Sequence, residues 1–292
     1  MRFNYAESLT DPSYYVPLAR AAEEAGYDGF VVPDSIAYPA VSDTKYPFNP
    51  DGSREFLEDK PFLDPFSMIT GLGAVTERLR FVTFVIKLPI RHPVLVAKQA
   101  STVAVMTDNR LGLGVGTSPW PEDYALVDVP WANRGARMDE CIQIIRGLTA
   151  GEWFEHHGKI FDVPQIKMAP APSEPIPVLI GGHGEPALKR AASVGDGWMH
   201  GGGDPADLPK LLARLRELRE EHGRADDPFE IHVISTDAYS VDGLKRLEEA
   251  GITDVMVGFR WPYTVGADTQ PLSEKLDLMR RYADGVIAKC RP

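Results

Sequence analysis

Two glycine-rich segments and one carboxylate stand where this 292-residue chain can do chemistry. In IGGHGEPALKRAA (180–192) an apolar run delivers three glycines directly to the start of a predicted helix. Backbone amides at a helix N-terminus, aided by the helix dipole, favour an anion, so Gly182, His183 and Gly184 form a candidate phosphate cradle. The plainer alternative is a tight strand-to-helix turn, with His183 merely exposed. In RLGLGVGTSPW (110–120) the glycines follow Gly-x-Gly-x-Gly rather than Gly-x-Gly-x-x-Gly, and SPWPED stands where a dinucleotide fold would start a helix. That segment reads as a strand running into an irregular loop. Gly112 and Gly114 there either make room for a neighbouring layer or face a ligand, and Gly116 is the one expected to face it. Asp34 closes the run GFVVPD, a place where it can hold a catalytic proton, bond a cofactor or cap the next loop.

Other chemistries lack their residues. The seven histidines show no His-Glu-x-x-His or similar ligand spacing, so no metal site is expected. His156 and His157 read as surface residues of a hairpin, and His92 before Pro93 as a helix start. Ser118 sits in no Gly-x-Ser-x-Gly elbow, which argues against an α/β-hydrolase. Cys141 and Cys290 form neither a redox pair nor a disulfide framework and are read as inert thiols. With 31 Lys plus Arg against 42 Asp plus Glu the net charge is -11, which opposes nucleic acid and anionic membrane and favours a small-molecule substrate. MRFNYAESL lacks the features of a secretory signal and no apolar run approaches the ~20 residues of a membrane span, so a cytoplasmic location is expected.

The elements that position these residues alternate along the whole chain. Eight apolar runs are predicted strands: 2–6, 28–33, 80–86, 110–116, 176–181, 196–200, 229–235 and 253–259. Each is paired with an amphipathic stretch, which points to an α/β barrel of the (β/α)8 TIM type in a single domain spanning 1–292. EEAGYDGFVV (23–32) and EEAGITDVMV (248–257) repeat one joint, a helix end, a glycine stop and a strand. Asp204 and Pro205 are expected to open a helix whose stripe is Leu208, Leu211, Leu212, Leu215 and Leu218. Two segments break the rhythm: 35–63, a long loop over the active site, and 151–175, a hairpin and Pro-rich connector inserted before strand five. Tyr38, Tyr46, Phe48, Trp120, Tyr124, Trp261 and Tyr263 gather in loops after strands two, four and eight, where they can wall a pocket.

LARAAEEAGYDGFVVPDS (18–35), the segment 79–116, RGARMDECIQIIRGL (134–148) and PVLIGGHGEPALKRAASVGDGWM (177–199) together resemble the luciferase-like monooxygenase superfamily, in particular its coenzyme F-420 branch. The match runs from residue 15 to about 200. It implies a barrel in which a flavin or deazaflavin ring lies across the strand ends, flanked by Asp34 and by strand three at Thr83, Phe84 and Ile86. In the family that strand often bulges at a non-proline cis peptide. Gly116, Thr117 and Ser118 are the implied strand-four contact, and Gly182, His183 and Gly184 the phosphate side. The sugar-phosphate dehydrogenases of this branch carry a histidine and a glutamate where this chain has Ser35 and Pro119. Glucose-6-phosphate oxidation is therefore disfavoured, and Glu122 is the nearest replacement carboxylate. Arg134, Arg137 and Glu140 match the family too, but read as helix-surface ion pairs. The leading expectation is an F-420-dependent oxidoreductase using Asp34, Ser35 and Glu122. An FMN-dependent monooxygenase and a non-catalytic cofactor-binding protein are the alternatives, and the family's frequent dimers allow a homodimer.

Overall fold

The computed structural model describes residues 1–7, 9–47, 49 and 51–291. Eight parallel strands close into a barrel: β1 (Arg2–Tyr5), β2 (Gly29–Val32), β3 (Arg80–Thr83), β4 (Leu111–Gly116), β5 (Val178–Gly181), β6 (Gly197–His200), β7 (Glu230–Val233) and β8 (Asp254–Val257). Closure comes from pairing Phe3 with Val255 at one seam and Phe81 with Leu111 at another. All eight fall inside the runs expected from the sequence. These runs are continuous rather than alternating because each strand is covered by helices outside and packed side chains inside.

A helix follows each strand: α1 (Tyr15–Glu24), α2 (Pro65–Gly73), α3 (Pro93–Met106), α4 (Arg134–Thr149), α5 (Glu185–Val194), α6 (Leu208–Glu221), α7 (Val241–Glu249) and α8 (Leu272–Tyr282). Their starts are chemically marked. Asp64 accepts the Ser67 amide at 2.8 Å before Pro65, and Ser240 accepts the Gly243 amide at 3.1 Å. The repeated joint is one motif built twice. Gly26 (φ 87°) and Gly251 (φ 91°) end α1 and α7, while Tyr27 and Ile252 donate back to Ala22 and Leu247 at 2.9 and 3.0 Å. The α6 start differs from expectation. Asp204 bonds the Ala206 amide at 2.9 Å in a separate turn, and the helix begins at Leu208, with Pro209 in its first turn. The insertion holds a hairpin, Phe154–His157 with Asp162–Ile166. Between 35 and 63 the described residues carry one 3-10 turn, Glu55–Leu57.

The barrel interior is layered. Val31, Val82, Leu179, Met199 and Met256 form its apolar middle. Beneath them, at the strand N-termini, lies a charged plug. Arg2 donates twice to Asp254 (2.9 and 2.7 Å), Arg80 reaches Glu230 at 2.9 Å, His232 Nε2 lies 2.7 Å from Glu230, and Asn4 donates to Asp254 at 3.1 Å. Glu230, His232 and Asp254 bring ligand-type atoms within 4.8 Å of one another, but the two guanidinium groups already bond these carboxylates. Burial raises the Glu230 pKa, yet His232 and Arg80 more than offset it and hold the carboxyl at about 2.

A carboxyl depressed from 4.5 to about 2 stabilises the fold fully above its unfolded pKa and ceases to do so as pH falls through 2. Glu230→Gln should therefore cost about 3 kcal/mol at pH 7. The gap from wild type, measured by urea unfolding, should narrow steadily between pH 4.5 and 2; a pH-independent gap would contradict the plug's electrostatics.

Candidate active site

The C-terminal ends of the strands open into a cavity of about 1870 Å³. Its floor is the segment after β3. Thr83 is fully buried and donates to the Gly114 carbonyl at 2.8 Å, so it anchors the strand and does not line the cavity. The chain then bulges at Phe84 and Val85, whose peptide is cis, and both side chains are half-buried on the cavity side. Ile86 is fully buried and lies outside the lining, so of the strand-three residues expected at the site only Phe84 lines the cavity, joined by Val85.

Missing side chains make that bulge possible. A Cβ on Gly114 would sit 1.9 Å from the Thr83 carbonyl oxygen, so this glycine makes room for the neighbouring strand. A Cβ on Gly116 would lie 2.8 Å from Val85 Cγ2, and one on Gly181 3.0 Å from its Cγ1. Val85 thus lies in a slot between two bare strand ends, both in the cavity wall.

Asp34 fixes the far side of the bulge. Its oxygens accept the Lys87 amide at 2.9 Å and Arg91 Nη2 at 2.7 Å. A carboxylate held by these two partners positions the loop. Lys87, unmarked in the sequence reading, points its ammonium to Asp123 at 2.8 Å and lies 3.5 Å from Ser35 Oγ and 4.7 Å from the centre of the Trp120 ring. Ser118 donates to Asp123 at 2.5 Å and accepts the Trp120 amide at 3.1 Å. The acid bonded to Ser118, and linked to Ser35 through Lys87, is therefore Asp123 and not Glu122. Glu122 faces the other way, to Ser42 and to Arg54 at 3.5 Å, and does not line the cavity. Burial raises its pKa, but Ser42 and Arg54 more than offset that and keep it low. The signal for Lys87 was legible, since it is the sole charge in FVTFVIKLPI (81–90). Asp123 was not distinguishable from its neighbour without the helical turn Pro121–Ala125.

On the opposite rim Gly182 lines the cavity, held by Trp198 Nε1 donating to its carbonyl at 2.8 Å. Gly184 caps α5 but, like His183, stands outside the lining. His183 is half-buried rather than exposed. Its ring stacks on His200 at 4.4 Å and 11°, and its Nε2 accepts the Gly201 amide at 3.1 Å. Desolvation, then the neighbouring His183, pushes the His200 pKa down to about 4; His183 is also lowered, by burial. Arg134, read as a surface ion pair, instead lines the cavity over Trp131 at 3.7 Å, and α5 adjoins its helix through Arg190 and the Gly135 carbonyl at 3.1 Å. Glu140 caps the insertion hairpin through the amides of Lys159, Ile160 and Phe161, and Arg137 donates to the Pro89 carbonyl at 2.7 Å.

The aromatic wall comes from three loops. Tyr46, Trp120, Trp261 and Tyr263 line the cavity, with Phe56 added: Tyr46 lies 5.3 Å from Phe56 and 5.7 Å from Trp120, and Phe56 5.0 Å from Tyr263. Tyr124 is buried instead, donating to the Thr117 carbonyl, and Tyr38 lines a smaller pocket. Phe48 lies outside the described residues. Arg54 sits 4.3 Å over Trp120, tying the 35–63 loop to the β4 loop. A further carboxylate, Glu7, reaches the cavity wall from β1, bonded to Tyr5 (3.0 Å) and to buried Lys275 (3.1 Å), which also holds Asp268 at 2.7 Å.

A closed parallel barrel with a bulged third strand and a deep, aromatic-walled mouth is the fold of the luciferase-like oxidoreductases. Residues 3–250 match the family described as luciferase-like monooxygenase, and the chain belongs to that family. It is 61% identical over 289 residues to an uncharacterized protein of Mycobacterium tuberculosis, covering 99% of this chain and 100% of that one. It is 28% identical over 257 residues to an F-420-dependent glucose-6-phosphate dehydrogenase of Nakamurella multipartita, covering 85% and 71%. Among solved structures, a monooxygenase from Streptomyces bottropensis superposes with TM-score 0.78 at 16% identity, over 100% of both chains. No described helix is long and apolar enough to cross a membrane.

His200 should be neutral at pH 6, and His183 should titrate below an ordinary histidine. By NMR of the imidazole ring, His200 should titrate with a midpoint near 4. A base whose pKa is lowered on folding costs stability only as pH falls below 6.5 toward 4, so that is where this pair should weaken the fold. A His200 midpoint near 6.5 would contradict the desolvated stack.

Proposed function

We propose that this protein is a coenzyme F-420-dependent oxidoreductase that moves hydride between the deazaflavin and an organic substrate held beneath the 35–63 loop. The observation that carries the reading is the apolar Phe84–Val85 floor between Gly116 and Gly181, with Arg134 and Gly182 in the lining and the α5 N-terminus just beyond it. Those residues fit a planar ring with an anionic tail, and the relative from Nakamurella multipartita is named for that coenzyme. Bound there, a deazaflavin supplies two-electron hydride chemistry.

The chain's own part is binding and exclusion of water. Phe84 and Val85 offer the ring a face, and Gly116 and Gly181 keep its edges clear. Gly182 and the first amides of α5 take the tail's negative charge, with Arg134 beside them. Tyr46, Phe56, Trp120 and Tyr263 close over the substrate and raise the strength of every polar contact within. The same floor and rim suit FMN, and the family's description as monooxygenases favours that as the second reading.

Titration of the protein with F-420 and with FMN separates the two. Tight F-420 binding, with hydride exchange toward a panel of ketones, enones and alcohols, is expected; FMN binding without F-420 binding would overturn the proposal, and binding without any turnover would indicate a cofactor carrier. Gly184→Asp tests the tail site. Gly184 has φ -71°, and its Cβ would meet nothing nearer than Pro186 Cδ at 3.7 Å. The new carboxylate should cap α5 and leave the melting temperature unchanged or higher, while lowering F-420 affinity about tenfold by occupying the anion's place. Unchanged affinity would remove the tail from this rim.

A further inference from the structure

Lys87 is an ammonium that the cofactor cradle does not use. Its side chain is 7% exposed and lies in the cavity wall, opposite Gly116 in the strand register. We propose that Lys87 Nζ donates to the carbonyl oxygen of the substrate and hands it the proton that accompanies hydride transfer, so that the substrate class is a ketone or aldehyde. The proposal rests on the hydride-transfer reading for its chemistry and on the apo-protein for its geometry.

Three observations converge. The Asp34 clamp on the Lys87 amide fixes where the side chain begins, and Asp123 at 2.8 Å fixes where the ammonium ends. An ammonium has three donors, and here the Asp123 bond takes one while the Ser35 contact, at 3.5 Å, is at the limit of a hydrogen bond. The third observation is the wall around the ammonium: Lys87 Nζ lies 4.7 Å from the centre of the Trp120 ring, in a lining rich in aromatic and apolar residues. A charged donor in such a wall suits a group that only accepts: a carbonyl oxygen, with two lone pairs. It suits still better the alkoxide that oxygen becomes as charge develops on it.

The electron count closes. The hydride brings two electrons and forms the new C–H bond at the carbonyl carbon; the C=O π pair moves to oxygen. Oxygen takes a proton from Lys87 Nζ and becomes the alcohol. Lys87 is left as a neutral amine beside Asp123 and regains a proton from solvent. The carbonyl is reduced by two electrons and the reduced deazaflavin oxidised by two. In the opposite direction the neutral amine would receive the alcohol's proton.

The test separates this role from a merely structural ion pair. Lys87→Met alone leaves Asp123 buried and unpaired, so Lys87→Met/Asp123→Asn is made beside it to remove both charges. Apo-protein is titrated with cyclohexanone and with methylenecyclohexane, its hydrocarbon isostere, by tryptophan fluorescence. The ketone-to-hydrocarbon affinity ratio should fall about tenfold or more in both variants, as expected when a charged hydrogen bond is lost. Loaded with F-420, the double variant should bind the coenzyme as wild type does and reduce cyclohexanone about 10²–10³-fold more slowly. An unchanged affinity ratio, or full turnover in the double variant, overturns the proposal. A wild type that prefers the ketone through Lys87 but binds no F-420 would instead sink the cofactor reading and leave the carbonyl site standing.

Discussion

One buried carboxylate holds the mouth of this barrel together. Asp34, at the end of β2, bonds the Lys87 backbone and the Arg91 side chain, so the chain leaving β3 is pinned at Lys87, where after the bulge it pairs again with β4 opposite Gly116. Everything between the two anchors, Thr83 to the β4 carbonyl and Asp34 to Lys87, must arch over the barrel. That arch is the floor of the cavity, and it also delivers Lys87 to the polar corner. Breaking an ion pair this buried by removing one partner leaves an uncompensated charge, typically a cost of ~3–5 kcal/mol. The arch is therefore held by a strong constraint rather than by loop packing alone.

The arch has room because its neighbours have no side chains where it passes. Val85 rests against Gly116 and Gly181, and methyl groups at either position would push on it at 2.8–3.0 Å. Glycine at these strand ends thus serves shape here, and the tail site proposed above lies on the α5 side of the mouth. On that proposal the floor and the tail site adjoin at Gly181 and Gly182, as a molecule with a flat head and a charged tail requires. The family is described as luciferase-like monooxygenase, while one relative is named for the deazaflavin.

Barrel and helices were legible because buried parallel strands are uninterrupted apolar runs and the joints carry glycine stops at Gly26 and Gly251. The site was legible only in outline. Sequence position placed Asp34, Phe84, Gly116, Thr117, Ser118 and Gly182 at the cavity, because strand ends line the mouth of a barrel. It could not tell Thr83 and Ile86, turned into the wall, from Phe84 and Val85, turned out, because the bulge breaks the alternation of side chains. Nor could it choose between Glu122 and Asp123, adjacent carboxylates on a single helical turn that separates their directions. Glu7 with Lys275 was beyond reach, since the two are 268 residues apart and meet only when β1 and α8 become neighbours.

The central claim is that a deazaflavin ring rests on the Phe84–Val85 arch with its tail toward α5. A crystal structure of the protein with F-420 measures this directly. The account predicts electron density for the ring over Val85, between Gly116 and Gly181, with the tail phosphate at the Gly182–Gly184 amides and Arg134. Density for the ring elsewhere in the cavity, or a tail leading toward Lys87 and Asp123, would contradict it.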